Sequence, residues 1–247
     1  MKRKMKIAII GYGKMGHMIE DVARSRGHEI VARIDVGDAF DLKDADVAIE
    51  FTTPATAKDN ILRAWAQGVP VVCGTTGWIE NLSPTLSSRE GELGGRKGEW
   101  KIEESSNKVI VKDETGKVML VWSSNYSVGV NIFFELNKFL AEQMTAQTQY
   151  MPSIKEIHHI HKLDKPSGTA KTLAEQIRET DLSRYQNIED IEIESVREGE
   201  VPGTHEVTWD SEEDTIVITH IAKGRRGFAL GAVLAAEEMG LSHSNEC

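Results

Sequence analysis

Over the first 80 residues, short apolar runs alternate with amphipathic stretches at nearly even intervals. Lys6–Ile10 is an apolar, β-branched run that ends on a glycine. Over 14–26 the apolar residues Met15, Met18, Ile19 and Val22 recur at helical spacing, and Gly27 closes the helix. Further strands are predicted over 28–34, ending at Asp35, over 46–51 and over 70–73. Between the last two, Thr53 is placed to cap a helix with Pro54 in its first turn, running through Ile61, Leu62 and Trp65 to Gly68. This alternation predicts an α/β fold with a parallel sheet of the Rossmann type.

From 83 to 107 the pattern dissolves into Ser, Gly, Glu, Arg and Lys. Such a stretch buries too little apolar surface to order itself, so an exposed, partly mobile insertion is expected, with Trp100 and Ile102 anchoring its far end. Apolar runs at 109–111 and 118–122 flank Asp113-Glu114-Thr115-Gly116 and predict a hairpin returning to the parent sheet. A loop over 123–131 leads to a helix over 132–144. Beyond it the order changes: a strand over 153–161, a helix over 169–179, strands over 188–197, 205–209 and 215–221, and a last helix over 228–239. The second half is expected to be a mostly antiparallel α+β layer with helices on one face.

Composition excludes several classes. No run approaches the ~18 apolar residues of a membrane span. The apolar run after the basic Met1-Lys2-Arg3-Lys4-Met5 is too short for a signal peptide. A net charge of -10 argues against nucleic acid, which is bound through clustered Lys and Arg, but leaves an anionic small molecule open. Cys73 is expected as a buried free thiol and Cys247 is the last residue, so a disulfide framework is absent and a cytoplasmic protein is expected.

Two stretches carry chemistry. Gly11-Tyr12-Gly13-Lys14-Met15-Gly16 joins a strand to a helix. There one glycine makes the tight turn, one admits a pyrophosphate to the backbone, and one lets the helix pack on the strand. The phosphates would sit at the helix N-terminus, where N–H groups and the dipole favour negative charge. Asp35 ends the next strand, where a carboxylate accepts from a ribose 2′-hydroxyl and repels a 2′-phosphate. NADH is therefore favoured over NADPH, with Arg33 and Lys14 leaving room for dual use.

The second stretch is Glu156-Ile157-His158-His159-Ile160-His161-Lys162-Leu163-Asp164, followed by Lys165-Pro166-Ser167-Gly168-Thr169-Ala170. On a strand His159 and His161 point one way and His158 the other, so the three histidines suit no metal, and none is expected. Lysine and histidine together suit a dicarboxylate, and the helix starting at Gly168-Thr169 offers N–H groups to a second carboxylate. Proton donors poised near neutrality are what a reduction needs once hydride has arrived.

With both motifs present, the chain resembles the 4-hydroxy-tetrahydrodipicolinate (dihydrodipicolinate) reductase family along nearly its whole length. The resemblance rests on the Glu156 to Ala170 run, on Gly11 to Gly16, on Glu50-Phe51-Thr52 and Gly74-Thr75-Thr76-Gly77, and on Asn125 to Asn131. Arg197-Glu198-Gly199, Pro202-Gly203-Thr204-His205 and the segment from Thr219-His220 to Gly231 extend it. It implies a dinucleotide-binding Rossmann domain over 1–126, completed by a C-terminal helix over 227–247, and a substrate and oligomerisation domain over 127–226 of a homotetramer. It also implies hydride transfer from NAD(P)H to a cyclic imine dicarboxylate, with loss of water, in lysine and diaminopimelate biosynthesis. By position, His158 resembles the proton donor or acceptor and Lys162 the general acid, while His159, Gly168 and Thr169 hold the substrate carboxylates. Gly74, Thr75 and Thr76, with Ser123, Ser124, Asn125 and Tyr126, would line the nicotinamide side; His161 has no assigned role. The insertion is longer than the resemblance leads one to expect, and Tyr126 stands where the family often has phenylalanine. The alternatives weighed are a dinucleotide-binding sensor without catalysis and an amino-acid dehydrogenase on a similar scaffold.

Overall fold

A computed structural model describes residues 3–78, 91–93, 96–98, 100–105 and 108–242. Of the expectations above, Cys247 and the parts of the insertion at 83–90, 94–95, 99 and 106–107 lie outside the described residues. The chain forms two compact units, Met1–Tyr126 with Phe228–Cys247, and Ser127–Gly227.

The first unit is built on a seven-stranded sheet. Its strands are β1 (Lys6–Ile10), β2 (Glu29–Ile34), β3 (Val47–Glu50), β4 (Val71–Cys73), β7 (Lys101–Ser105), β8 (Lys108–Lys112) and β9 (Val118–Ser123), in the order β2-β1-β3-β4-β9-β8-β7. The pairs β1/β2, β1/β3, β3/β4 and β4/β9 are parallel, whereas β8 runs antiparallel to both β9 and β7. A short hairpin of β5 (Gly91–Leu93) and β6 (Arg96–Gly98) stands apart.

Covering both faces explains why the parallel strands read as unbroken apolar runs. Ala8 and Ile10 face a core shared with Ile61, Ala64 and Trp65 of α2 (Pro54–Ala66), while Ile7 and Ile9 face α1 (Lys14–Ser25). Ala229, Ala232, Val233 and Ala236 of the last helix, α5 (Arg226–Ser242), join this second core. Each fully buried isoleucine of β1 is worth roughly 1.5–3 kcal/mol. Glu237 fastens α5 by accepting from Arg26 at 2.6 and 2.9 Å, with His28 Nε2 at 2.9 Å. Thr53 caps α2 as expected, in a reciprocal box with Thr56.

Trp100 and Ile102 anchor the far end of the insertion as expected, but that end is more ordered than its composition predicts. It is regular structure: β7 adds the outermost strand of the sheet. Trp100 supplies the reason, because its ring stacks on the buried Trp65 at 5.0 Å and 12°, and Ile102 packs on the same core.

The second unit is one sheet with helices on one face. β10 (Met151–His158) lies parallel to β11 (Glu192–Arg197) and antiparallel to β12 (Thr204–Asp210), which pairs antiparallel with β13 (Thr215–Ile221). Phe133 and Phe134 of α3 (Val128–Met144) and Leu173 and Ile177 of α4 (Gly168–Thr180) pack with Ile154, Val207 and Trp209 of the sheet.

Three boundaries differ from the pattern reading. Helix α3 starts at Val128 rather than 132, because the Ser127 side chain accepts from the Val130 N–H and caps it inside the expected loop. Strand β10 stops at His158, and the Lys162 N–H to His159 carbonyl bond turns the chain instead. The expected strand over 188–197 opens with a 3₁₀ turn, Ile188–Asp190, held by Asn187 and Asp190. Among the described residues, no helix is long and apolar enough to cross a membrane.

Candidate active site

In the first unit the glycine loop meets its geometric requirements. Gly11 has φ +92°, and a Cβ there would lie 2.1 Å from the Phe51 carbonyl oxygen. A Cβ on Gly16 would lie 2.4 Å from the Gly11 oxygen, so this residue sets how closely α1 approaches the turn. Gly13 caps α1 without any side-chain hydrogen bond, and a Cβ added to it would meet nothing within 4 Å. Space and helix-terminal N–H groups thus coincide where a phosphate would bind. Lys14 is exposed in the first turn of α1 and Met15 is partly buried against the core. Asp35 follows β2 and is exposed, one carboxylate oxygen accepting from the Val36 N–H at 2.9 Å.

Phe51 links this loop to the next one. Its ring would collide with a Cβ on Gly74 at 2.1 Å, so both loops depend on the same side chain. Thr75 is buried, and its hydroxyl accepts from the Thr52 N–H at 2.9 Å. The Thr75 carbonyl accepts from the indoles of Trp78 and Trp122 at 2.7 and 2.8 Å. Glu50 underlies both loops, with Thr52 Oγ1 and the Cys73 thiol donating to its two oxygens. Cys73 is buried and free, as expected, and burial pushes its thiol up. Thr76 and Ser124 are exposed, Asn125 is half-buried, and Ser123 Oγ donates to the Asn125 carbonyl at 2.9 Å. Tyr126 is a brace rather than an open wall: its ring lies in the core and its hydroxyl meets the Val121 and Cys73 carbonyls at 2.7 and 3.1 Å. That contact is what tyrosine adds over phenylalanine.

In the second unit, register builds the site. The alternation of β10 turns Ile154, Glu156 and His158 inward, and that of β12 turns His205, Val207 and Trp209 inward. Ile154 pairs with Val207 in the core, and one step along the ladder Glu156 pairs with His205. The polar cluster is therefore the upper end of an apolar core.

Glu156 is fully buried, and its two oxygens are used differently. Oε1 accepts from Arg197 Nη2 at 3.1 Å and from the Ser167 N–H at 3.0 Å. Oε2 lies 3.2 Å from His158 Nδ1 and 3.8 Å from His205 Nε2. Burial pushes this carboxyl up, but the close approach of His158 and the donors of Ser167 and Ser195 outweigh it and hold it well below the usual carboxylate range. The opposite side of the His158 ring faces Gly203, where φ is +149° and a Cβ would come within 3.0 Å of Nε2. Glycine there leaves that nitrogen uncrowded, although His158 as a whole is buried.

Lys162 lies in the turn after β10, its ammonium 2.8 and 2.9 Å from the two Asp164 oxygens. Arg197 fixes the turn by donating to the carbonyls of Lys162 at 3.2 Å and Asp164 at 2.5 Å. Ser167 caps α4 by accepting from the Ala170 N–H at 3.2 Å, so Gly168 and Thr169 form the helix's first turn. A Cβ on Gly168 would meet nothing within 4 Å. His159 is half-buried in the turn, while His161 is exposed and paired with Glu200. Because both lie beyond β10, the alternation argument against a three-histidine metal site does not describe them.

A carboxylate–histidine cluster does form, with members that short sequence spacing could not reveal. Donor atoms of Glu156, His158 and His205 lie within 4.8 Å of one another. Arg197 already neutralises the carboxylate at their centre. Three residues without an assigned role therefore belong to the site: Arg197, Ser167 and His205. Ser167 had a local signal, a serine immediately before a helix, and His205 had a weaker one, a histidine in phase with Val207 and Trp209.

Burial, with His158 close by, pushes His205 down to about 4 from its ordinary 6.5. The unfolded chain therefore takes up a proton there before the folded chain does, and stability falls as pH drops from 6.5 towards 4. The full loss is about 3 kcal/mol. Denaturant unfolding from pH 7 to 4.5 should show this slope and His205→Gln should flatten it; equal slopes would remove His205 as its source. Glu156, Lys162, His158 and His220 face this ring. Of these, His220, itself held down by burial, adds to the slope in the same direction, and Glu156 does so only below its own unfolded value of 4.5.

Comparisons with known proteins bear on both units. The family model for the dihydrodipicolinate reductase N-terminus matches residues 5–94, and that for the C-terminus matches 129–246. The 4-hydroxy-tetrahydrodipicolinate reductase of Christiangramia forsetii is 42% identical over 94% of this chain and 91% of its own length. That of Bdellovibrio bacteriovorus is 34% identical over 95% and 90%. Among solved structures, the dipicolinate-bound dihydrodipicolinate reductase of Paenisporosarcina sp. TG-14 superposes with a TM-score of 0.66 at 20% identity, covering 97% of this chain and 96% of that one. An aspartate semialdehyde dehydrogenase II from Vibrio cholerae gives 0.53 at 9% identity, covering 98% and 100%, a likeness of fold alone. Matched by family models in both units and by relatives over nearly its whole length, the chain belongs to the dihydrodipicolinate reductase family.

Proposed function

We propose that this chain reduces 4-hydroxy-tetrahydrodipicolinate with NAD(P)H in lysine and diaminopimelate biosynthesis, with Lys162 and His158 handling the proton. The observation that carries the reading is the polar cluster at the end of the second unit's core. A buried carboxylate backs one side of His158, only the side-chain-free backbone of Gly203 lies against the other, and Lys162 stands in the adjoining turn.

Overall, the reaction loses the 4-hydroxyl as water and adds one hydride and one proton to the ring. Gly11 to Gly16 and Gly74 to Thr76 would hold a reduced dinucleotide, which would supply the hydride. Lys162 delivers the proton to the carbanionic position that reduction creates, and His158 gives or takes a proton through Nε2. The carboxylate of Glu156 on Nδ1 orients the ring for this, as second partners of catalytic histidines do. The first turn of α4 at Gly168 and Thr169, with His159, binds the substrate's carboxylates. Nothing observed favours a sensor without catalysis, because the acid cluster is intact.

Asp35 favours NADH, since a carboxylate at the ribose repels a 2′-phosphate. Assembly as a homotetramer is supported by Ile216, Val217 and Ile221, exposed apolar residues on β13 at the free edge of its sheet. The deciding experiment offers the purified protein freshly generated 4-hydroxy-tetrahydrodipicolinate with NADH and NADPH side by side. Consumption of NADH at the higher kcat/KM is expected. Folded protein that oxidises neither cofactor sinks the reductase reading, and higher efficiency with NADPH overturns the role given to Asp35. Light scattering on the same sample should give four times the chain mass; a monomer refutes the tetramer.

A further inference from the structure

Arg33 is the basic side chain nearest Asp35 on β2, and so the natural cation for a 2′-phosphate that Asp35 alone would repel. It is already engaged. Glu20, on α1 and only 8% exposed, takes the Arg33 fork on both oxygens, Nε donating to Oε2 at 2.7 Å and Nη2 to Oε1. Arg24 Nε donates to the same Oε1 at 2.6 Å, and the Tyr12 hydroxyl donates to Oε2. The Arg33 guanidinium also lies 5.6 Å from the centre of the Tyr12 ring. Tyr12 belongs to the glycine loop itself, so this network ties the last turn of β2 to the place where the nucleotide would bind.

We infer that Glu20 is a specificity-determining residue, holding Arg33 in a bidentate pair that withholds it from the 2′-phosphate of NADPH. The inference rests on the nucleotide-binding role given above to the glycine loop. The pair occupies the Nε/Nη2 edge of the guanidinium and fixes its plane against α1, so the N–H groups left over can meet a phosphate only from that fixed position. Glu20 is buried while the Arg33 side chain keeps 35% exposure, so the pair is anchored from the protein side and open to solvent on the other. Protonation does not open it at physiological pH, because the Arg33 hydrogen bonds hold the Glu20 carboxyl down at about 2. Two features then act together against NADPH: Asp35 repels the phosphate and Glu20 occupies the cation that would offset the repulsion. Lys14, His17 and Asp38 are the other titratable groups near this end of the loop, and none of them holds Arg33 in a hydrogen bond.

The test measures kcat/KM with NADH and with NADPH for the wild type, Glu20→Gln, Glu20→Ala, Arg33→Ala and Glu20→Gln/Arg33→Ala. Either Glu20 variant should raise the NADPH-to-NADH ratio about tenfold, the effect of one charge-assisted contact, chiefly through KM for NADPH. Arg33→Ala alone should leave the ratio within about twofold of wild type, because the side chain it removes was not serving the phosphate. The double variant should lose the gain. An unchanged ratio in a Glu20 variant that still oxidises NADH overturns the inference, and so does a gain that survives in the double variant. Should both Glu20 variants fail to fold, Arg33→Ala decides, since a selective fall in NADPH use there shows Arg33 already free to bind phosphate. Nucleotide fluorescence titrations of the wild type separate the two layers: binding of neither cofactor defeats the nucleotide-site reading itself.

Discussion

Replacing Lys162 with alanine will lower kcat by ~10²–10⁴-fold, the contribution of a positioned proton donor, and His158→Ala will do the same. The loss should be separable from unfolding. Lys162 pairs with Asp164, whose side chain is 53% exposed, and a carboxylate so placed rehydrates when its partner leaves. The stability cost is therefore under ~1 kcal/mol. Steady-state kinetics beside a thermal melt read both quantities. A Lys162→Ala enzyme with near-wild-type kcat removes that residue from the mechanism, and the same holds for His158.

The largest effect on stability is expected at Glu156. Removing its side chain leaves the Arg197 guanidinium, only 14% exposed, without its carboxylate and the Ser167 N–H without its acceptor. Breaking a buried pair by deleting one partner costs ~3–5 kcal/mol. For a chain of this size that lowers Tm by roughly 10 °C. Glu156→Ala should melt that much earlier at pH 7, and the deficit should narrow below the unfolded value of 4.5, where the native chain's advantage from a carboxyl held low is itself being lost. A melt within a degree or two of wild type would show that Arg197 finds solvent or another acceptor. Glu156→Gln keeps the acceptor for Ser167 and should recover part of the loss.

The parts of the molecule that could be read from sequence are those governed by local constraints. The glycine loop was legible because three separate demands, a turn, a close approach and a helix contact, fall on Gly11, Gly13 and Gly16. The start of α4 was legible because a small-residue stretch precedes a periodic one. Trp100 stood out as an anchor because an indole in a charged stretch has to bury itself somewhere. The misses share another cause. Ser127 looked like one more loop residue because capping and loop chemistry use the same side chains. The strand through His161 was drawn too long because a period of two continues by chance into the turn. The pairing of Glu156 with His205 depends on the register between β10 and β12, which no local window contains. Arg197 illustrates the same limit, since three of its four acceptors are 33 to 41 residues distant along the chain.

The added strand β7 has a consequence for the chain's life in solution. An outermost strand offers unpaired N–H and C=O groups as a template for another chain, and without β7 that template would be β8, whose run includes Val109, Ile110 and Val111. With β7 in place, the exposed margin of the sheet carries Lys101, Glu103 and Glu104 instead, with Glu103 clamped to Lys112 of β8. Charged side chains on a border strand discourage edge-to-edge recruitment, the route by which sheets aggregate. The polar insertion thus replaces a sticky border with a soluble one, and Trp100 is the rivet that keeps it there.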